Sequence, residues 1–593
     1  MKHTLTLLAL GATLLAPAMA HTQVDSAATR SAQLTKLFES YWQDELKQSP
    51  ELATSIGDKR YNDRWSDYTG AAANSWLARE RETLNRLAAF DTTGLTSQEK
   101  LSVDLLVRSL IDDQEGARFK EWQMPVNQFN GPQTGLPQTI DVMPFDDVHD
   151  YDNLIARLNA IPQVFAQVQE SMSLGADAKR TPPRLIMDQV VKEVQAVAGA
   201  KPEDTPFLAP LKHFPAGISA EDRKRITKDA TDAWTQQVQP AYTRFGKFLT
   251  AQYIPACRTE PGASALPDGD AYYAFRVRQS TTLKLTPDQI HQIGLNEVKR
   301  DESEMLTIAK KLGFSDLKSF NASLKTNPKL HATSPEQLLN VYKGYIAGMQ
   351  AKLPQLFGTL PKAPLEVVKV PDYMAAQQSQ AYYEEGTPDG KRPGRVYVNT
   401  YHFADRGLEN AEAVSYHEGV PGHHLQISIA QELTGLPEFR KHNYYTAYTE
   451  GWGLYSERLG KDVGFYQDPY SDYGRLEADI WRAIRLVVDT GVHSKHWTRE
   501  QMVDFFHDHS GIDETNIQSE TDRYIAWPAQ ALGYKMGQLK FIELRERART
   551  KLGAKFKLSD YHDLVIDSGA LPMDVLEQRV DAWIAAGGGK PQS

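Results

Sequence analysis

Tyr416-His417-Glu418-Gly419-Val420-Pro421-Gly422-His423-His424 gathers three of the chain's 16 histidines, with a glutamate, into nine residues. Helical zinc sites commonly use His-Glu-x-x-His, which sets two imidazoles on one face with a glutamate between them as base. Here the position four after His417 is Pro421, and the next histidines stand six and seven on. In a straight α-helix those offsets rise about 9 and 10.5 Å. One ion with bonds of about 2.0–2.1 Å to nitrogen cannot reach across them. Pro421 removes the hydrogen bond to the His417 carbonyl and clashes with it, and Gly422 opens backbone angles closed to other residues. The pair predicts a bulged or kinked helix that folds the second histidine back toward the first. Without that distortion the segment is a polar helix end with satisfied hydrogen bonds.

A third ligand lies downstream in Tyr448-Thr449-Glu450-Gly451-Trp452-Gly453-Leu454-Tyr455-Ser456-Glu457. This stretch reads as a helix, and Leu425 to Ala430 continues the previous one. Glu450 and Glu457 compete for the role; Glu450 is preferred because Gly451 permits close helix approach. Two histidines and one glutamate leave a coordination position open for water, the hydrolytic form of a zinc site. Glu418, next to a ligand, is placed to act as general base. A zinc-bound histidine also needs an acceptor to fix its ring, and the sequence names none.

The chain resembles the bacterial DUF885 family. The resemblance rests on His417-Glu418-Gly419-Val420-Pro421-Gly422-His423 and on Thr449-Glu450-Gly451-Trp452. Leu266-Pro267-Asp268-Gly269-Asp270-Ala271-Tyr272-Tyr273, Asp489-Thr490-Gly491-Val492-His493 and Arg523-Tyr524-Ile525-Ala526-Trp527-Pro528-Ala529-Gln530 also match its pattern. The family's members look like helical, gluzincin-type zinc metallopeptidases. The resemblance therefore implies Zn2+ at His417, His423 and Glu450, and favours His423 over His424. Related peptidases place a histidine or tyrosine against the developing oxyanion, for which His493, Tyr524 and Tyr534 are the candidates. Each has core packing or a structural hydrogen bond as its alternative.

Around this centre, Arg523 is a candidate for binding a substrate carboxylate; an ion pair with Asp522 or Glu520 is the alternative. Val396 to Thr400 alternates like a strand, expected either at a sheet edge, where an extended peptide would pair and Asn399 would grip its backbone, or as a strand with no ligand. The implied activity is hydrolysis of short peptides by an exported zinc enzyme. A zinc amidase acting on cell-wall peptides and a helical binding protein without turnover are the competing readings.

With 593 residues, the chain is long for one hydrophobic core. Capped helix starts at Thr286-Pro287-Asp288-Gln289, Ser334-Pro335-Glu336-Gln337 and Thr498-Arg499-Glu500-Gln501 predict a mainly α protein. The first of these helices is expected to run to about Gly313. Strand-like Leu365 to Val370 and Arg395 to Thr400 add a small β-sheet. The expected architecture is two helical lobes around a cleft, gluzincin-like in its metal region. A Pro/Gly-rich stretch near residue 260 divides an N-terminal helical lobe, 21–260, from a catalytic metallopeptidase-like region, 261–593. Residues 1–20 read as a signal peptide: Lys2, an apolar run from Leu5 to Leu15, then Ala18-Met19-Ala20. No cysteine follows the run, so a periplasmic or secreted protein is expected rather than a lipid-anchored one. Net charge of −10 disfavours a nucleic-acid partner, and no later segment is apolar enough for stable membrane insertion. The single cysteine, Cys257, reads as a small buried residue.

Overall fold

The computed structural model describes residues 26–371, Ala375, 379–387 and 392–591; the expected leader, residues 1–20, lies outside them. Helices dominate, and their starts follow the local chemistry. The Thr286 hydroxyl accepts from the Gln289 amide while the Gln289 side chain returns to the Thr286 N–H. This box opens Pro287–Lys311, which stops short of Gly313 in a left-handed conformation (φ 93°). Ser334 caps Pro335–Gln350, but Gln337 reaches back to Thr333 instead of closing on the cap. Thr498 and Gln501 form a second reciprocal box before Arg499–His509. No helix among the described residues is long and apolar enough to cross a membrane.

The sheet has three strands: β1 (Leu365–Lys369), β2 (Ala381–Glu384) and β3 (Gly394–Val398), in the order β1-β3-β2. β3 runs parallel to β1 and antiparallel to β2. The strand expected at an edge is therefore the central one. β2, only four residues long, covers its far side and was not anticipated.

One apolar core is built from residues between Trp65 and Cys257, centred on Phe165, Trp234 and Tyr242, and it ends at Cys257. Another is built between Ala332 and Trp583 around Trp452 and Phe541. The division is not clean. Leu105 enters the second core, Phe119 and Ile186 pack among later residues, and Phe439 joins a core otherwise made from Leu34 to Leu110. The N-terminal helices thus brace the later region.

Six helices frame the candidate site: α1 (Ala411–Glu418), α2 (His423–Glu432), α3 (Thr446–Asp462), α4 (Pro469–Ser494), α5 (Glu514–Ala526) and α6 (Leu532–Leu552). α3 packs tightly on α6 because glycines face each other: a Cβ on Gly451 would stand 2.5 Å from the Gly537 Cα, and one on Gly537 would stand 1.8 Å from the Ala447 carbonyl oxygen.

Candidate metal centre

The expected kink is a complete break. α1 ends at Glu418 and α2 begins at His423, with Gly419 (ψ −115°) and Gly422 (ψ −128°) both outside helical geometry and a cis Val420–Pro421 bond between them. A side chain on Gly422 would put Cβ 1.9 Å from the His417 carbonyl oxygen, so only glycine lets the backbone return this closely. α3 fixes the break from outside. Trp452 Nε1 donates to the Pro421 carbonyl at 2.9 Å, and Ser456 Oγ does so at 3.3 Å.

The result brings His417, His423 and Glu450 together, with one donor atom from each lying within 4.8 Å of the others. Glu450 Oε2 is 3.5 Å from His417 Nε2 and 3.6 Å from His423 Nε2. The two imidazoles stand perpendicular, with centroids 4.7 Å apart. A tetrahedral zinc with bonds of about 2.0–2.2 Å spaces its donors about 3.3–3.6 Å apart, so the donor types suit the ion and both Glu450–histidine separations match its spacing.

Glu457, the rival for the ligand position, has a different part. His417 Nδ1 donates to its Oε1 at 2.8 Å, which commits the imidazole and leaves Nε2 facing His423 and Glu450. This is the ring-fixing acceptor that the sequence did not name. Arg482 of α4 lies 3.9 Å from the same carboxylate. Gly453 lets α3 approach, since a Cβ there would lie 2.7 Å from the His417 ring. The glycine beside Glu450, Gly451, instead serves the contact with α6. His423 Nδ1 is buried without a hydrogen-bond partner among the described residues.

His424 points elsewhere. Its Nε2 donates to the Ala363 carbonyl (3.2 Å), and its Nδ1 meets the Tyr383 hydroxyl (3.1 Å), tying α2 to β2. Burial pushes it down to about 4, so it is neutral. Within the cluster, burial alone would raise Glu450, but the two histidines hold it well below the usual carboxylate range. Burial would lower His417, yet Glu450 and Glu457 bring it up to about 9. Burial raises the Glu418 carboxyl, opposed by charge on His417 and His423.

The outlying motif segments form a buried clasp. His493 accepts from the Ala263 amide at Nδ1 (2.9 Å) and donates to the Tyr524 carbonyl from Nε2 (2.9 Å). Tyr273 donates to Asp489 (2.6 Å), which also accepts from the Ala529 amide. With both nitrogens committed to backbone, His493 has none left for an oxyanion. Tyr524 donates to Glu520 (2.5 Å) and accepts from Arg485 (2.9 Å), so its hydroxyl is also spent. Arg523 pairs with Glu520 (3.3 Å), the alternative foreseen for it, while Asp522 pairs with Arg499. Arg523 also donates to Gln530 (2.9 Å) and to the Tyr534 hydroxyl (3.2 Å). Among the described residues, no hydrogen bond is formed with the Tyr534 hydroxyl as donor. Asn399 is fully buried and donates to the Ala375 and Ser379 carbonyls, so its amide is not offered to a peptide backbone. Burial raises the Cys257 thiol to about 12, which makes it inert.

One residue at the site went unread in the sequence. Tyr444, in the non-helical stretch before α3, donates to Glu450 Oε1 at 3.0 Å. No spacing rule marks it, because it is not on the helix that carries Glu450.

The family described as bacterial protein of unknown function, DUF885, matches residues 50–580. The chain belongs to the DUF885 family. No curated protein matches it. Among solved structures, a candidate lipoprotein of Colwellia psychrerythraea is 30% identical, with a TM-score of 0.89 over 94% of this chain and 99% of that one. A candidate lipoprotein of unknown function from Shewanella oneidensis is 18% identical, with a TM-score of 0.70 over the same shares. The second likeness is one of fold alone.

Proposed function

We propose that this DUF885 protein is an exported zinc-dependent hydrolase that cleaves peptide bonds of short peptides, of gluzincin-like type. The observation that carries the reading is the convergence of His417, His423 and Glu450, with Glu457 fixing the first imidazole. Held there, Zn2+ supplies polarisation of a carbonyl and activation of water.

The chain's own residues supply the rest. Glu418 accepts the proton of the attacking water and passes it to the leaving amine; its burial-raised carboxyl suits that exchange. Tyr534, whose hydroxyl donates to none of the described residues, is the donor for the oxyanion. Arg523 presents its remaining N–H groups to a substrate carboxylate while Glu520 balances its charge. The apolar run from Leu5 to Leu15 supports export, as does the name of the Colwellia relative.

Cleavage of a peptide library, read by mass spectrometry with and without chelator, tests this reading. Wild type should cut, chelator should abolish cutting, and Glu418→Gln should lower the rate by 10²-fold or more while zinc remains bound. Undiminished hydrolysis by metal-loaded E418Q would remove Glu418 as the base.

A further inference from the structure

We propose that Tyr444 is a positioning residue of this metal centre: its phenol holds Oε1 of Glu450 and thereby presents Oε2 to the two histidines. The inference rests on the metal reading above. The two oxygens of Glu450 are divided between partners. Oε2 faces His417 and His423 at 3.5 and 3.6 Å, and Oε1 accepts a hydrogen bond from the Tyr444 hydroxyl at 3.0 Å. A carboxylate with both oxygens free can turn about its last bond and grip a cation with either or both. Engaging one in a charge-assisted hydrogen bond removes that freedom before the ion arrives.

The placement of Tyr444 favours this role over a packing one. Its side chain is 55% exposed, so it contributes little buried area. What places it is the backbone. Arg440, just upstream, is buried and donates to Ser102 and to the Ser568 carbonyl. The next carbonyl, that of Tyr445, accepts from the Tyr448 and Thr449 amides and starts α3. Arg523 and Tyr534 lie within electrostatic reach of the same phenol. Tyr444 therefore stands exposed beside Glu450, with its hydroxyl turned in on that carboxylate.

The test is zinc affinity by chelator competition in wild type and Tyr444→Phe, with cobalt-loaded absorption spectra and melting of the metal-free proteins alongside. Y444F should bind zinc 10- to 100-fold more weakly. Its cobalt spectrum should change as Glu450 is freed to use its second oxygen, and metal-free melting should match wild type. Equal affinity with an equal spectrum would overturn the proposal. So would a loss of affinity that merely tracks a lower metal-free melting temperature with an unchanged spectrum. Failure of wild type to bind either ion would instead remove the metal reading, and it is seen before the variant is consulted.

Discussion

Glu450 and Glu457 are seven residues apart on α3, two turns along one helix face. That spacing lets one helix serve both nitrogens of His417, Glu450 at Nε2 and Glu457 at Nδ1. Sequence reasoning treated the two as rivals for one role because spacing shows that both face the same way but not which ring atom each meets. Glu457→Gln keeps the shape and removes the charge. It should weaken zinc binding 10- to 100-fold, measured by chelator competition; unchanged affinity would show that His417 is oriented by packing alone. Residue type alone singles out His493 and Tyr524; the groups that occupy them, the Ala263 amide and Tyr524 carbonyl for His493 and Glu520 and Arg485 for the Tyr524 hydroxyl, are invisible without the fold.

At the scale of elements, the Pro421-Gly422 insertion was legible as a distortion but not in its extent. Local rules say that proline opposes a helix and that glycine permits a return; the break is completed by Trp452 and Ser456, donated from α3. Gly422→Ala puts a methyl group against the His417 carbonyl oxygen. It should cost at least about 1–3 kcal/mol by overpacking and lose stoichiometric zinc even where the fold survives. Urea unfolding and metal analysis of the same sample check both effects. The alternation of Arg395 to Thr400 marks a strand, which forms as Gly394–Val398, but it does not show that the strand is central. Pairing is decided by β2, a four-residue segment too short to announce itself by periodicity.

At the scale of the whole molecule, the mainly helical character could be read from caps and composition. The bracing of the later region by the N-terminal helices could not, since it rests on contacts such as Arg440 to Ser102 and Phe439 to Phe38. The fold also buries neutral histidines outside the His417, His423 and Glu450 cluster. Burial lowers His493 and His562 from 6.5 to about 3. Their folded-state pKa lies below the unfolded one, so the unfolded chain binds more protons between those values. The stability each contributes is complete above pH 6.5 and is lost as pH falls toward 3, at about 1.4 kcal/mol per pH unit. Asp489 has the opposite sign: burial raises it to about 7, so its contribution is present at low pH and lost as pH rises through 7. Comparing variants isolates one group. Wild type should lose about 2 kcal/mol more than His562→Gln between pH 7 and pH 5 in urea unfolding. Parallel pH profiles would show that His562 does not carry this dependence.

The central claim is a metal held by His417, His423 and Glu450, with the second of the paired histidines, His424, facing away. Metal content of the gently purified protein tests it most directly, measured beside His423→Ala and His424→Ala. One zinc per chain is expected in wild type and in H424A, with none in H423A. Absence of stoichiometric metal from wild type, or its loss from H424A with retention in H423A, would contradict the account.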